Sequence, residues 1–427
     1  MYQPFLTISY DRPASVAEPK GAVFTKPWVV ELLLDLAGYA VQSNLVDALA
    51  IEPAAGEGAF LVPMAQRLVA SCLRQNRPLS DCESSLIAYE LDEASAETAR
   101  QAVVEALQAA GTRQAAAEKL AAGWVRAGDY LFDAGRLPRA DYVIGNPPYI
   151  RLEDIPPETA SLYRDAYPTM RGRADLYVAF FEAALRQLNT NGVCAYICAD
   201  RWMLNQYGAE LRRLVTAGFG VETVVEMHNA NAFDDDVSAY PAITVIRQGR
   251  QTRAVVASAG PAVESASGNF LASSLRSAVG GKLSTLPSGL TTAVVDSWFT
   301  GSDPWPCSSP TRLALLRRLE ERFGPLETDA TGTKVGIGVA TGLDKVFITR
   351  DTKIVEETRL LPLAMAQDTV TGQFHWSGHY LVNPWEADGL VNLKGFPRLS
   401  SLGVRASVEP RGQTDLEFLP SLGVRPI

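Results

Sequence analysis

The sequence predicts a doubly wound α/β fold with a mostly parallel, seven-stranded sheet and a second, smaller C-terminal domain. The first observation is that short apolar runs alternate with helical patterns through the first 250 residues, as expected when helices cover both faces of a parallel sheet. The second observation is that this alternation stops near residue 250. The strand candidates are 45–53, 85–92, 124–129, 141–146, 193–200, 221–227 and 240–247.

The helical segments between these strands have their apolar residues at helical spacing. In residues 174–188, Leu176, Phe180, Ala184 and Leu188 recur at intervals of four. After the last strand, a stretch rich in Ser, Gly, Ala and Pro favours a connector, and residues 310–323 begin with Pro and end before Gly, as helices do. We therefore expect four segments: an N-terminal extension (1–20), the main domain (21–258), a linker (259–309) and the second domain (310–427).

Composition limits the kind of protein. Of the 427 residues, 47% are hydrophobic, yet no apolar run reaches the roughly 18 residues of a membrane span. The N-terminus lacks the pattern of a secretory signal, so we expect a cytoplasmic protein without membrane contact. The five cysteines and three histidines show no spacing typical of a metal site, so no metal is expected. A net charge of −9 discourages tight nonspecific binding to nucleic acid but leaves room for a local basic groove.

The ends of the first two strands point to a nucleoside ligand. The first strand continues as Glu52-Pro-Ala-Ala-Gly56-Glu-Gly58, and glycines in such a turn let the backbone approach a ligand closely. Glu90 ends the second strand, where a carboxylate can accept hydrogen bonds from ribose hydroxyls. The turn lacks both the GxGxxG spacing and a phosphate-loop Lys-Ser/Thr, which favours a ligand without a pyrophosphate.

The third strand ends in Gly-Asp129-Tyr130, where a carboxylate can accept from an exocyclic amine and an aromatic ring can cover an adenine. The fourth strand ends in Asn146-Pro147-Pro148-Tyr149. The asparagine oxygen and a proline carbonyl are acceptors that match a planar amino group, and the diproline holds them rigidly. The tyrosine offers a face on which a base can stack. The segment therefore predicts a clamp for an amino group on a planar ring.

Together these motifs resemble the S-adenosylmethionine-dependent adenine-N6 DNA methyltransferases of restriction-modification systems, over roughly residues 20–250. The segment Gly21-Ala-Val-Phe-Thr25-Lys-Pro-Trp28 is similar to the family's N-terminal segment, although Lys26 separates Thr25 from the proline. It precedes the glycine turn, and the turn precedes Asn-Pro-Pro-Tyr, which is the motif order of the gamma class. The resemblance implies a Rossmann-like class I methyltransferase domain over 21–258.

The resemblance also implies a role for each matching residue. Glu52 would hold the methionine amino group of S-adenosyl-L-methionine, Glu90 its ribose, and Asp129 with Tyr130 its adenine. Asn146 and the Pro147 carbonyl would orient the target N6, and Tyr149 and Phe233 would stack on the flipped base. The full set of implied cofactor-binding residues is Thr25, Glu52, Ala54, Gly56, Glu90, Leu91, Asp129, Tyr130, Asn146 and Phe180.

The implied activity is site-specific methylation of adenine N6 in DNA, with a restriction endonuclease as a separate partner because only about 20 residues precede the motifs. Other functions stay open at this level. The same clamp serves enzymes that methylate ribosomal RNA or protein glutamine, and cytosine N4 is a further target. A non-catalytic DNA-binding remnant is a different class, against which the presence of Glu52 and Asn146 argues.

Residues 332–351 and 360–385 resemble the start of the target-recognition regions of large enzymes of this family. The pentapeptide Ser-Leu-Gly-Val-Arg occurs at 401–405 and again at 421–425, with no clear periodicity between the two copies. We expect a partial or shortened recognition domain.

Overall fold

The computed structural model describes residues 25–234, 240–265, 268–279, 287–295, 300–305, 310–324, 327, 332–334, 341, 343–370, 372–386 and 389–408. The chain divides into two compact units, residues 1–323 and 324–427. Across the described residues, no helix combines the length and apolar character needed to cross a membrane.

The secondary structure of the described residues is given in chain order. The helices are α1 (Pro27–Ala37), α2 (Leu61–Arg74), α3 (Glu93–Ala109), α4 (Gln114–Trp124), α5 (Tyr130–Asp133), α6 (Pro157–Ala166), α7 (Tyr177–Gln187), α8 (Arg201–Leu204), α9 (Ala209–Gly218), α10 (Gly268–Val279), α11 (Pro310–Arg322), α12 (Asp344–Phe347) and α13 (Pro397–Val408). The strands are β1 (Ala50–Glu52), β2 (Leu86–Glu90), β3 (Val125–Ala127), β4 (Ala140–Gly145), β5 (Leu188–Ala199), β6 (Phe219–Glu226), β7 (Pro241–Gln248), β8 (Ala254–Ala259), β9 (Leu290–Val295), β10 (Ile348–Thr349), β11 (Leu360–Pro362), β12 (Tyr380–Val382), β13 (Trp385–Glu386) and β14 (Gly389–Leu390).

The first unit is built on one sheet with the strand order β3-β2-β1-β4-β5-β7-β6-β8-β9. Strands β1 to β5 are parallel to one another, whereas β7 runs antiparallel to both β5 and β6. The chain winds outward from β1 in one direction and from β4 in the other, so the sheet changes direction between them. Ligands of open α/β sheets bind at the carboxyl ends of the strands beside such a point. The predicted Rossmann-like α/β fold is confirmed.

Two apolar layers enclose this sheet, so its central strands are buried on both faces. One layer contains α1 to α4 and α10, with residues such as Leu33, Leu68 and Trp124 fully buried. The other contains α7 and α9, with Phe181 and Leu211 fully buried. The apolar stripe predicted on residues 174–188 therefore packs on the sheet as α7.

The sheet is wider than predicted, and the predicted linker is the reason. Residues 254–259 and 290–295 extend the seven-stranded sheet as β8 and β9, so the sheet has nine strands in the described chain. Between them α10 buries Leu271, Ala272 and Leu275 against the sheet. The sequence pattern did not predict β8 near the end of the predicted main domain. Within the predicted connector over 259–309 it missed β9 and α10, and in α10 three apolar residues on one helical face outweigh the Ser- and Gly-rich composition. Helix α11 matches the predicted bounds but falls in the first unit.

The second unit contains a three-stranded antiparallel sheet in the order β10-β12-β11 and the small hairpin β13-β14. Its core gathers Phe347, Val355, Val382, Val391 and Leu399. The second copy of the Ser-Leu-Gly-Val-Arg pentapeptide, at 421–425, lies outside the described residues. A shortened recognition domain therefore stays a prediction.

Candidate active site

One pocket opens at the carboxyl ends of β1, β2, β3 and β4, beside the point where the sheet changes direction. Its volume is about 1080 Å³, including the open solvent at its mouth. The pocket lining gathers twelve of the thirteen residues singled out in the sequence: Thr25, Glu52, Ala54, Gly56, Glu90, Leu91, Asp129, Tyr130, Asn146, Pro147, Tyr149 and Phe180. Phe233 is the exception.

Glu52 ends β1 and lies at the bottom of the pocket with 1% of its surface exposed. Its Oε2 atom has no hydrogen-bond partner among the described residues. Burial, reinforced by the nearby Glu90 carboxylate, raises the pKa of Glu52 well above its usual range. A buried carboxyl oxygen without a donor costs folding free energy, so this site is shaped for a donor that the protein itself does not provide.

Glu90 holds the turns around the pocket together. Its Oε2 accepts from the Gly56 backbone N–H at 2.8 Å, and its Oε1 accepts from the Asp92 N–H at 2.9 Å. The Glu90 backbone carbonyl also accepts from Gly128 N–H at 2.8 Å. Gly56 adopts a φ of 53°, a conformation that glycine reaches without the strain a side chain would bring. The β1 and β3 turns are thus fixed relative to the end of β2.

Asp129 is the N-cap residue of α5, directly before the helix, and its Oδ1 accepts from the Leu131 N–H at 2.9 Å. Its Oδ2 accepts from the hydroxyl of Tyr163 at 2.5 Å. Tyr163 belongs to α6, packs its ring on Phe132 at a centroid distance of 5.1 Å, and also lines the pocket. Burial raises the pKa of Asp129, while the Tyr163 hydroxyl and the α5 backbone N–H groups lower it.

The aromatic wall of the pocket is formed by Tyr130 and Phe180. Their rings stack with centroids 5.8 Å apart and an interplanar angle of 28°. The Tyr130 hydroxyl donates to Gln187 Oε1 at 2.7 Å, and only 1% of the residue is exposed, so the ring is fixed by both the hydrogen bond and its burial. Both rings therefore form a rigid apolar surface.

The N-terminal segment contacts the predicted base clamp, Asn146-Pro147-Pro148-Tyr149, through Thr25. The Asn146 side-chain NH₂ donates to Thr25 Oγ1 at 3.1 Å, so the acceptor end of this amide is turned away from Thr25. Lys26, which separates Thr25 from the proline, occupies the N-cap position of α1 and forms an ion pair with Glu264 at 3.5 Å. The extra residue therefore leaves Thr25 in the pocket.

Phe233 lies beside the clamp but does not line the pocket. Its ring meets the Tyr149 ring edge to face, with centroids 6.3 Å apart and an interplanar angle of 74°. Residues 25 and 233 form an antiparallel bridge, and Lys26 N–H donates to the Ala232 carbonyl at 3.0 Å. The two rings predicted to enclose a base are therefore neighbours, but they must turn and separate before a base can lie flat between them.

All charged side chains in the described lining of the pocket are acidic. The lining contains four carboxylates, those of Glu52, Glu57, Glu90 and Asp129, and no Lys, Arg or His side chain. Such a surface attracts a cation and repels a phosphate. This observation supports the sequence argument against a pyrophosphate ligand.

Comparison with known proteins identifies the family. The profile of the Eco57I restriction-modification methylase family matches residues 105–233. The chain is 39% identical over 394 residues to the type II methyltransferase M.XhoI of Xanthomonas vasicola, covering 90% of this chain and 70% of that protein. The chain belongs to the type II restriction-modification methyltransferases. The family resemblance predicted from the motifs is confirmed.

Other type II methyltransferases agree with this assignment. M.PaeR7I of Pseudomonas aeruginosa is 40% identical over 390 residues, and M.BstVI of Geobacillus stearothermophilus is 35% identical over 395 residues. These alignments cover 90% and 89% of this chain but 66% and 69% of the relatives. The chain thus spans about two thirds of the length of these type II methyltransferases.

Solved structures show the same fold. The type IIG restriction endonuclease BpuSI aligns with a TM-score of 0.51 and 15% identity, covering 94% of this chain and 48% of that one. A nuclease-deletion mutant of the type ISP enzyme LlaGI, solved with a DNA substrate mimic, also gives 0.51 at 15% identity, covering 78% and 35%. This type II methyltransferase therefore shares its architecture with larger restriction-modification enzymes.

Tyr163 is a polar residue of the pocket that the sequence analysis did not single out. It is 34 positions from Asp129, and its surroundings Ser-Leu-Tyr-Arg-Asp resemble any half-exposed helix. The aromatic spacing in 163–167 is the one available signal, because Tyr163 and Tyr167 are four apart and both bury their rings.

Proposed function

We propose that this chain methylates adenine N6 of a flipped base in DNA with S-adenosyl-L-methionine, as the modification enzyme of a restriction-modification system. The observation that carries the proposal is that the carboxylates of Glu52, Glu90 and Asp129 line the same pocket as the Asn146-Pro147-Pro148-Tyr149 segment. In such a system a separate restriction endonuclease would cleave the unmodified sequence.

The residues of the pocket fit this cofactor. Glu52 has a buried carboxyl oxygen that needs a donor, which the methionine ammonium group would supply. Glu90 keeps lone pairs for ribose hydroxyls beyond the two backbone donors it already accepts from. The stacked Tyr130 and Phe180 rings offer an apolar surface for adenine. The four carboxylates favour a ligand that carries both an ammonium and a sulfonium charge.

The bound cofactor would supply a methyl group that is electrophilic because it is attached to a sulfonium. The chain's part is to position and polarise the nucleophile. The Asn146 side-chain oxygen and the Pro147 carbonyl accept from the two N–H bonds of the target amine, which turns its nitrogen toward tetrahedral geometry and frees the lone pair for in-line attack. As the nitrogen–methyl bond forms, the methyl–sulfur bond breaks with its electron pair left on sulfur, and the methylated amine then loses one N–H proton to solvent. No enzyme nucleophile is required, so catalysis rests on orientation and on fixed dipoles.

Base capture would depend on Tyr149 and Phe233. We expect Tyr149→Ala and Phe233→Ala each to weaken binding of the flipped base by roughly ten- to hundredfold, since stacking on an aromatic ring is worth about 1–3 kcal/mol per base. After the modified sequence has been read from methylated DNA, 2-aminopurine at the target position reports flipping by fluorescence.

Tyr149→Phe is the matched control for this prediction. It keeps the ring and removes a hydroxyl whose contact with the Ile197 carbonyl is long, at 3.5 Å. A Tyr149→Phe variant as defective as Tyr149→Ala would contradict a stacking role.

The proposed reaction is tested by transfer of labelled methyl from S-adenosyl-L-methionine to genomic DNA that lacks adenine methylation, followed by nucleoside analysis. Label in N6-methyladenine supports the proposal. Label in N4-methylcytosine, or transfer to ribosomal RNA or protein in place of DNA, would overturn it.

A further inference from the structure

We propose that Tyr163 is a positioning residue for cofactor recognition, whose hydroxyl fixes the Asp129 carboxylate as an acceptor for the amino group of the cofactor's adenine. The inference rests on the proposed function and adds a residue from outside the strand ends that carry the nucleoside motifs. It starts from one contact, the 2.5 Å hydrogen bond from the Tyr163 hydroxyl to Asp129 Oδ2.

The direction of this hydrogen bond follows from chemistry. An ionised carboxylate can only accept, so the Tyr163 hydroxyl donates. With the Leu131 N–H on Oδ1 and Tyr163 on Oδ2, both carboxylate oxygens are held and the group cannot rotate. The Phe132 N–H also donates to this carboxylate, so one of its four lone pairs is left as an acceptor for an amino group in the pocket. A protonated Asp129 would instead present a hydroxyl donor to that amino group.

Tyr163 is itself fixed in place by its surroundings. Its ring stacks on Phe132 with an interplanar angle of 26° and is 5% exposed. The segment that contains α6 is further held by the Tyr167 hydroxyl, which donates to the Leu131 carbonyl, and by Glu182, which accepts from the Thr169 N–H at 2.9 Å. This segment follows the base clamp directly. Its two ends are joined by a hydrogen bond from the Leu176 N–H to the Ile150 carbonyl at 2.8 Å.

The electrostatic surroundings of Asp129 make the contact consequential. Burial raises the pKa of Asp129 and the neighbouring Asp133 raises it further, while Tyr163 and the α5 N–H groups lower it. Tyr167 also lies within electrostatic range of Asp129, and Glu52 and Glu90 line the same pocket. Removing the Tyr163 hydroxyl removes one of the lowering groups. The carboxyl group would then hold its proton to a higher pH.

The test measures binding of S-adenosylhomocysteine and of its inosine analogue, which lacks the amino group, by calorimetry across pH. For Tyr163→Phe we expect about tenfold weaker binding of the adenosine ligand, a smaller preference over the inosine ligand, and an acid limb of the affinity moved up by about one pH unit, since one unit is a tenfold change. Glu52 is present in every variant, so its own titration contributes equally.

Tyr39→Phe is the matched control, because it removes a buried hydroxyl that donates to a backbone carbonyl, that of Met64, outside the pocket lining. We expect it to keep both the preference and the pH profile. In an Asp129→Asn background, Tyr163→Phe should have no further effect on the preference, which a double-mutant cycle measures.

An unchanged preference and pH profile in Tyr163→Phe, or an equal loss in Tyr39→Phe, would overturn the role of Tyr163 alone. Failure of the unaltered chain to bind the adenosine ligand would overturn the proposed cofactor, and this inference with it.

Discussion

Asn146→Ala is expected to lower kcat for methyl transfer by about 10²-fold or more while cofactor affinity changes little, because removal of one pre-oriented polar contact to a reacting group typically has this effect. Its amide is already oriented in the unliganded pocket by the 3.1 Å hydrogen bond to Thr25 Oγ1. The side chain therefore acts on the target amine without reorganisation. Single-turnover transfer of labelled methyl, with cofactor binding measured separately, checks the prediction.

Asn44→Ala provides the comparison, since Asn44 is an exposed asparagine whose amide contacts Asp47 outside the pocket. It should transfer methyl at the normal rate. If Asn146→Ala lost cofactor affinity in proportion to its rate, the cofactor contact that the resemblance also implies for Asn146 would account for the whole defect, and its role in polarising the amine would be refuted.

The second large effect concerns Glu52→Gln. We expect cofactor affinity to fall by roughly ten- to hundredfold, because a hydrogen bond to a charged group contributes about 1.5–3 kcal/mol. The unliganded protein should become more stable, since a neutral amide replaces a buried carboxyl group with an unpartnered oxygen. Calorimetric binding and thermal unfolding of the unliganded protein measure the two effects together. Loss of both affinity and stability would contradict the prediction.

The pH dependence of Glu52 has a definite sign. Its folded-state pKa is raised by burial, so its contribution to stability is fully present below the unfolded pKa and is lost as pH rises through the folded value. Cofactor affinity changes in the opposite direction, because an ammonium group binds the ionised form. Glu57→Gln is the control: Glu57 lines the same pocket but is exposed, so both profiles should keep their shape.

The sequence predicts strands β1 to β7 because each is a short apolar run that ends at or just before a polar or glycine residue. It does not predict β9, whose residues Leu-Thr-Thr-Ala-Val-Val alternate poorly and lie at the edge of the sheet, where only the two end residues are buried. Nor does it predict the burial of α10, because composition alone does not show which small residues face a core. Edge elements depend on tertiary contacts more than on local pattern.

The candidate site is more predictable than its details. The carboxyl ends of parallel strands meet at one edge, so residues as distant as Glu52 and Asn146 are brought together by topology alone. The contact of Tyr163 with Asp129 depends on how the segment after the clamp folds back, and no strand end marks it. The edge-to-face arrangement of Tyr149 and Phe233 is likewise a matter of side-chain packing, which a motif cannot specify.

The antiparallel bridge between residues 25 and 233 connects two binding events that the motifs describe separately. Thr25 lines the pocket, whereas Phe233 belongs to the loop beside Tyr149. If the proposed cofactor and base bind here, ordering of one backbone by its ligand would be shared with the other, and the two ligands would be thermodynamically linked. Linkage is reciprocal: if cofactor raises the affinity for DNA by some factor, DNA raises the affinity for cofactor by the same factor. A positive coupling of this kind would favour the ternary complex over either binary one.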